Sequence, residues 1–180
     1  MNKKIINDVL QSINGGTTIQ KLLSDFKKKK GKYQKIETFQ TVSIGISVFL
    51  DNTLIRCHYF GKSGTSVSTS TNPVIRSIKK GEELINSSEN IYRSVFVKST
   101  EEENFGGALR SNGITISCSG FKNNMKNEHL SWLIMFAIER RVNELGFKFN
   151  DTRYHDIDNN PYVVAEKIRM TNEFNNFKKE

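Results

Sequence analysis

The chain has 180 residues and a mass of 20.6 kDa, the size of one domain with at most a small appendage. Hydrophobic residues make up 36%, and 12 Phe, 5 Tyr and 1 Trp supply enough apolar bulk for a core, which argues against general disorder. The net charge is +8, and the longest apolar run, residues 132–138, falls far short of the roughly 18 residues of a membrane-spanning helix, so such a helix is excluded.

The charge is concentrated at the beginning. Residues 1–36 hold nine lysines against Asp8 and Asp25, a net +7, and leave the rest of the chain almost neutral. Residues 3–13 and 17–30 read as short helices separated by Asn14-Gly15-Gly16, with Thr17 or Thr18 as the cap of the second. Lys27, Lys28, Lys29, Lys30 and Lys32 form a tract that can hold phosphates by counterion release, or simply close a helix at the negative end of its dipole. The tract has no Arg, and only Phe26 and Tyr33 are available for stacking on bases. No apolar stretch of the signal-peptide kind follows Lys3 and Lys4, which gives a cytoplasmic expectation. Cys57 and Cys118 lie in strand-like apolar patterns and read as reduced core residues.

From Thr41 the pattern alternates. Ile44, Ile46, Val48 and Leu50 mark one strand face, and Asp51-Asn52 forms a two-residue turn. A tight hairpin then pairs Val48 with Ile55, Ile46 with Cys57 and Ile44 with Tyr59, and puts Arg56 and His58 on the opposite face with Gly45 and Ser47. Residues 61–72 read as a Ser/Thr/Gly loop, and Asn72-Pro73 caps and starts a helix reaching about Ile85. A strand is expected over Ile91 to Lys98. Asn112-Gly113 then marks a second hairpin, in which Arg110, Ala108 and Gly106 share a face with Thr115, Ser117 and Ser119. That face has little bulk but several hydroxyls, which suits either a closely packed helix or a ligand pocket.

Asn127 reads as the cap of the longest helix, about Glu128 to Leu145, ended by Gly146. Its centre is apolar all round, so it is either sandwiched within the fold or exposed to a second copy of the chain. Asn160-Pro161 starts a last helix whose Val163, Met170, Phe174 and Phe177 give it a docking side. The order predicts an α+β domain with one mainly antiparallel sheet of about five strands flanked by helices, compatible with a profilin-like sheet. Residues 1–36 form a basic helical extension, 37–148 the profilin-like domain, and 149–180 a C-terminal loop and docking helix.

The stretch from Gly45 to about Leu145 resembles the profilin-like haem-degrading-domain (GlcG-like) family. The resemblance lies in the order of His58-Tyr59, Gly64-Thr65, Asn72-Pro73-Val74-Ile75-Arg76, Ser87-Ser88, Gly106-Gly107, Ser117-Cys118-Ser119-Gly120 and Glu128-His129. One departure is that the family's lysine about three residues after the helix arginine has its nearest counterparts here in Lys79 and Lys80. The resemblance implies an oligomeric small-ligand-binding protein, with haem as a ligand in some branches and no activity common to all.

For haem, His129 or His58 would be the axial donor, with Arg56 and Arg110 for the propionates. Gly106, Gly107, Ser117 and Ser119 would line the pocket. Asp151, His155, Asp156 and Asp158 cluster in sequence, but their spacing matches neither an EF-hand loop nor a helical His pair, and no metal site is expected. No P-loop, dinucleotide fingerprint or nucleophile elbow is present, so whether the chain is an enzyme stays open. The alternative function is an interaction module whose lysine tract binds nucleic acid or an acidic partner and whose sheet is scaffold.

Overall fold

A computed structural model describes residues 44–60, 72–97, 106–121 and 123–177. The expected N-terminal helices, the lysine tract and most of the Ser/Thr/Gly loop lie outside these residues. Strand β1, Ile44–Leu50, turns through Asp51 and Asn52 into β2, Thr53–Phe60. Both turn residues have positive φ, +45° and +66°, the primed geometry that follows the natural twist of the strands. Strands β3, Ala108–Ser111, and β4, Ile114–Ser119, are joined in the same way by Asn112 and Gly113, at +51° and +76°. The strands form one antiparallel sheet in the order β2-β1-β4-β3.

The sheet has four described strands, not five. Residues 91–97 supply a single bridge, Arg93 to Leu109, followed by the 3-10 turn Ser94–Phe96. Arg110 N–H donates to the Tyr92 carbonyl at 2.8 Å, but the Ala108 N–H donates to the Ser94 hydroxyl at 3.0 Å. A side chain therefore takes a bond that a fifth strand would have supplied, and the ladder stops there.

The register of the first hairpin also differs from the expectation. Leu50 pairs with Thr53 and Phe49 with Leu54, but Val48 pairs with Arg56, Ile46 with His58 and Ile44 with Phe60. Ile55 is the extra residue of a β-bulge. Because side chains alternate, that one residue moves Arg56 and His58 from the Gly45/Ser47 face to the face of Ile46 and Val48, and turns Cys57 and Tyr59 the other way.

Helix α1, Pro73–Asn86, is capped by the Asn72 side chain, which accepts from the Val74 N–H at 2.9 Å. It lies across β1, β4 and β3 on the small-residue face. A Cβ added to Gly45 would stand 2.2 Å from the Pro73 carbonyl, and one on Gly81 would stand 2.3 Å from the Phe49 ring. The scarcity of bulk on this face is thus used for close helix packing.

Helix α2, Asn124–Glu144, begins one turn earlier than expected, with Asn123 as its cap. Asn127 is not the cap: its buried amide donates to the Phe121 carbonyl at 3.0 Å and accepts from the Phe121 N–H at 3.1 Å. Residues 127–135 of α2 are all buried. On one side lie Ile46, Val48, Ile114, Ile116 and Cys118 of the sheet, and on the other Tyr154, Ile157 and Val163 of the chain that follows. The all-round apolar centre is therefore sandwiched within the fold.

Helix α3, Pro161–Phe177, is capped by Asn160, whose side-chain oxygen accepts from Tyr162 N–H and Val163 N–H. Val163 is buried against α2, while Ile168 and Phe174 farther along are exposed. Arg93 and Glu128 form a bidentate ion pair with two 2.9 Å bonds, their side chains only 5% and 3% exposed, and Asn160 donates to the same carboxylate at 2.8 Å. Three segments distant in sequence are tied together there. No helix of the described residues is long and apolar enough to cross a membrane.

Candidate functional site

Gly106 and Gly107 lead into β3 with φ of +151° and +119°, a conformation that favours glycine. There is no room for more. A Cβ on Gly107 would stand 2.5 Å from the Cys118 carbonyl, and one on Gly106 would stand 2.9 Å from the Asn124 Cβ. The Gly107 carbonyl accepts from Cys118 N–H at 2.8 Å and from the Ser131 hydroxyl at 2.5 Å. The glycine pair is thereby held between the end of β4 and the first turns of α2. Ser119, also buried, ends β4 opposite Gly45.

Lys80 of α1 completes this corner. Its Nζ donates to the Gly106 carbonyl at 3.0 Å and to Asn124 Oδ1 at 3.4 Å. No carboxylate among the described residues forms an ion pair with it. Burial pushes the ammonium down from the usual 10.5 to about 8, against a smaller opposing effect of Cys118, with still smaller effects of Arg76 in the same direction and of Glu83 against it. A partly buried cation whose hydrogen-bond partners among the described residues are neutral oxygens is suited to receiving an anion.

Lys80 is not among the sequence-predicted site residues, although the spacing carries a signal for it. Pro73, Ser77, Gly81 and Leu84 form the buried stripe of α1, and Lys80 stands within that stripe, three residues after Ser77 and four before Leu84.

The other expected residues do not converge on this corner. Ser117 is buried beneath α1 opposite Ser47, and neither hydroxyl has a hydrogen-bond partner among the described residues. Arg110 donates twice from one guanidinium nitrogen, to the Ser88 and Ile91 carbonyls, each at 2.5 Å, and so fastens the chain after α1 to β3. His129 is buried on α2, its ring nearly parallel to that of Tyr162 with centroids 6.3 Å apart, and so belongs to the α2–α3 contact. His58 and Arg56 lie on β2; burial, with a smaller effect of the Arg56 charge, lowers the His58 pKa.

These residues do not fit haem in the expected arrangement. Arg56 and Arg110 stand on opposite edges of the sheet, three strand spacings or about 14 Å apart, and on opposite faces. They cannot clamp the propionates of one haem. The face that would form its slot is occupied by α1.

Cys118 is fully buried and its thiol is pushed up to about 12 by burial, with Ser131 and Lys80 opposing, so it is not a thiolate nucleophile at neutral pH. The acidic sequence cluster is dispersed: Asp151 bonds Arg153, His155 bonds Glu139 at 2.8 Å, and Asp158 bonds Lys167 at 2.8 Å. Among the described residues no group of His, Cys, Asp and Glu could hold a metal ion.

Comparison with protein-family models, with curated proteins and with solved structures gives no match to this chain. What is established is the class: among the described residues, an α+β arrangement with one antiparallel four-stranded sheet and helices on both faces.

Proposed function

We propose that this protein is a small-ligand-binding domain of the profilin-like type, and that its ligand is a small organic anion received by Lys80 where α1 meets Gly106, Gly107 and Asn124. The observation that carries this reading is the mostly buried Lys80 ammonium, held by two neutral oxygens and by no carboxylate among the described residues. A partly buried cation that no carboxylate among the described residues pairs with is costly, and a bound carboxylate would offset that cost. The four-stranded antiparallel sheet with α1 and α2 on its two faces supports the profilin-like type. Haem has no favourable arrangement of residues here, and the proposed ligand is therefore not haem.

The test is a titration of the full chain with a panel of small carboxylates, read by calorimetry. Saturable binding that weakens at least tenfold in Lys80→Met, and is unchanged when Lys27, Lys28, Lys29, Lys30 and Lys32 are all replaced by Gln, is the expected result. Equal binding by wild type and Lys80→Met would refute the assignment. Loss of binding in the five-Gln variant, with a steep dependence on salt, would instead favour the interaction-module reading.

A further inference from the structure

The turn between β3 and β4 joins Asn112 to Gly113, and its geometry requires glycine at the second place. Gly113 has φ +76°, and a Cβ on it would stand 2.6 Å from Asp51 Oδ1. Asparagine before glycine is a chemically labile pair, because no side chain hinders the glycine nitrogen from reaching the asparagine Cγ and closing a five-membered ring. The folded turn prevents that approach. With φ of +51° and +76° it is of type I′, in which the first residue has a ψ of about +30°. The Gly113 nitrogen then lies roughly opposite Asn112 Cβ across the Cα–C bond, whereas ring closure needs the two on the same side.

The side chain locks this arrangement. Asn112 Oδ1 accepts from the Asn150 N–H at 3.0 Å and the Asp151 N–H at 3.2 Å, while Nδ2 donates to Ser111 Oγ at 2.9 Å and to the Asp151 carbonyl at 3.0 Å. Both donors and both acceptor lone pairs of the carboxamide are in use. Ser111 Oγ donates to the same Asp151 carbonyl, and the Gly113 carbonyl accepts from the Asp51 N–H at 2.8 Å. Rotating the turn into the reactive conformation therefore breaks this clasp and the bond to Asp51.

We infer that Asn112 is a modification site of the opened chain: the closed fold preserves its amide, and opening of the clasp commits it to deamidation, after which the clasp does not re-form. The Gly113 nitrogen gives up its proton and its lone pair attacks Asn112 Cγ; the bond from Cγ to Nδ2 breaks, and Nδ2 leaves as ammonia with that proton. Water then opens the cyclic imide, its hydroxyl joining one carbonyl carbon and its remaining hydrogen the ring nitrogen. Opening at Cγ gives aspartate, and opening at the backbone carbonyl gives isoaspartate, with one more carbon in the main chain. No oxidant or reductant takes part. Aspartate has no N–H for Ser111 Oγ or the Asp151 carbonyl and sets a negative oxygen against that carbonyl, and the extra carbon of isoaspartate does not fit a two-residue turn. The segment that follows α2 is then no longer fastened to the sheet at this point.

The full-length protein is held at pH 8 and 37 °C in native buffer and in urea, and aspartate and isoaspartate at position 112 are quantified by peptide mass spectrometry. Loss of the amide at least tenfold slower in native buffer is the expected result, together with a lower urea midpoint for the converted chains after refolding. Ser111→Ala removes one acceptor of Nδ2 and one donor to the Asp151 carbonyl; it should speed the loss in native buffer about fivefold or more, the weight of one hydrogen bond, and leave the rate in urea unchanged. Equal rates for the wild type in the two solvents would overturn the inference, as would a native rate that Ser111→Ala leaves unaffected. Converted chains that refold to the wild-type midpoint would overturn its second part. The two wild-type measurements do not depend on a variant folding.

Discussion

Replacing Lys80 by Met should stabilise the protein at neutral pH. The folded-state pKa of about 8 lies below the 10.5 of an exposed lysine. At about 1.4 kcal/mol per unit, charging Lys80 costs the folded state about 3 kcal/mol. Methionine fills similar space without charge, but it abandons the Gly106 carbonyl and Asn124 Oδ1, a loss of about 1 to 2 kcal/mol together. The net gain expected at pH 7 is therefore about 1 to 2 kcal/mol.

The pH dependence is more diagnostic than the absolute value. Below about pH 8 both the folded and unfolded chains hold the Lys80 proton and the wild type carries the full penalty. Between about 8 and 10.5 the unfolded chain holds more of that proton, so wild-type stability rises with pH relative to Lys80→Met. Above 10.5 the penalty is gone and the methionine variant is left with only the lost hydrogen bonds. Urea unfolding followed by the fluorescence of Trp132 at pH 7 and at pH 10.5 measures both effects. A variant less stable than wild type at pH 7, or a stability difference that stays flat between the two pH values, would refute the reasoning. A residue that costs stability where it stands is one whose retention calls for a function.

Replacing Glu128 alone by Leu leaves Arg93 charged and enclosed and should cost about 3 to 5 kcal/mol, whereas the Arg93→Leu, Glu128→Leu double variant should cost much less, a coupling that a double-mutant cycle measures directly. Gly45→Ala drives a methyl group into the Pro73 backbone and should cost about 3 kcal/mol, while Gly146→Ala, in open space at φ +81°, should cost only about 1 kcal/mol for its left-handed conformation; denaturant midpoints distinguish the two. A thiol reagent should titrate one cysteine in the native protein, the exposed Cys57, and reach the buried Cys118 only after unfolding; two fast equivalents in native buffer would contradict the placement of Cys118.

Features whose cause is local are legible in the residues. Asp51-Asn52 and Asn112-Gly113 adopt the positive φ that a two-residue hairpin needs, and Asn72-Pro73 and Asn160-Pro161 begin helices because an Asn side chain caps what a Pro can start. The even apolarity of residues 132–138 likewise marks a helix buried on more than one side. The glycine pair at 106 and 107 reads as a site feature in the sequence, and the structure brings Gly106 together with Lys80.

What the residues do not reveal depends on partners far along the chain. Ile55 becomes a bulge, and one added residue in an alternating pattern is enough to carry His58 and Arg56 to the other face. The stretch from Ile91 has the composition of a strand, but Arg93 is drawn to Glu128, 35 residues later, and Ser94 takes the Ala108 N–H. Asn127 has the residue type of a cap and spends its amide on Phe121 instead.

Lys80 shows the division most plainly. Helical spacing determined that it lies in the buried stripe of α1. Its character was decided only when the packing of α1, the glycine pair and α2 took away much of its water and offered it two neutral oxygens and no ion-paired carboxylate among the described residues, because solvation and counter-charge are properties of the surroundings and not of the residue.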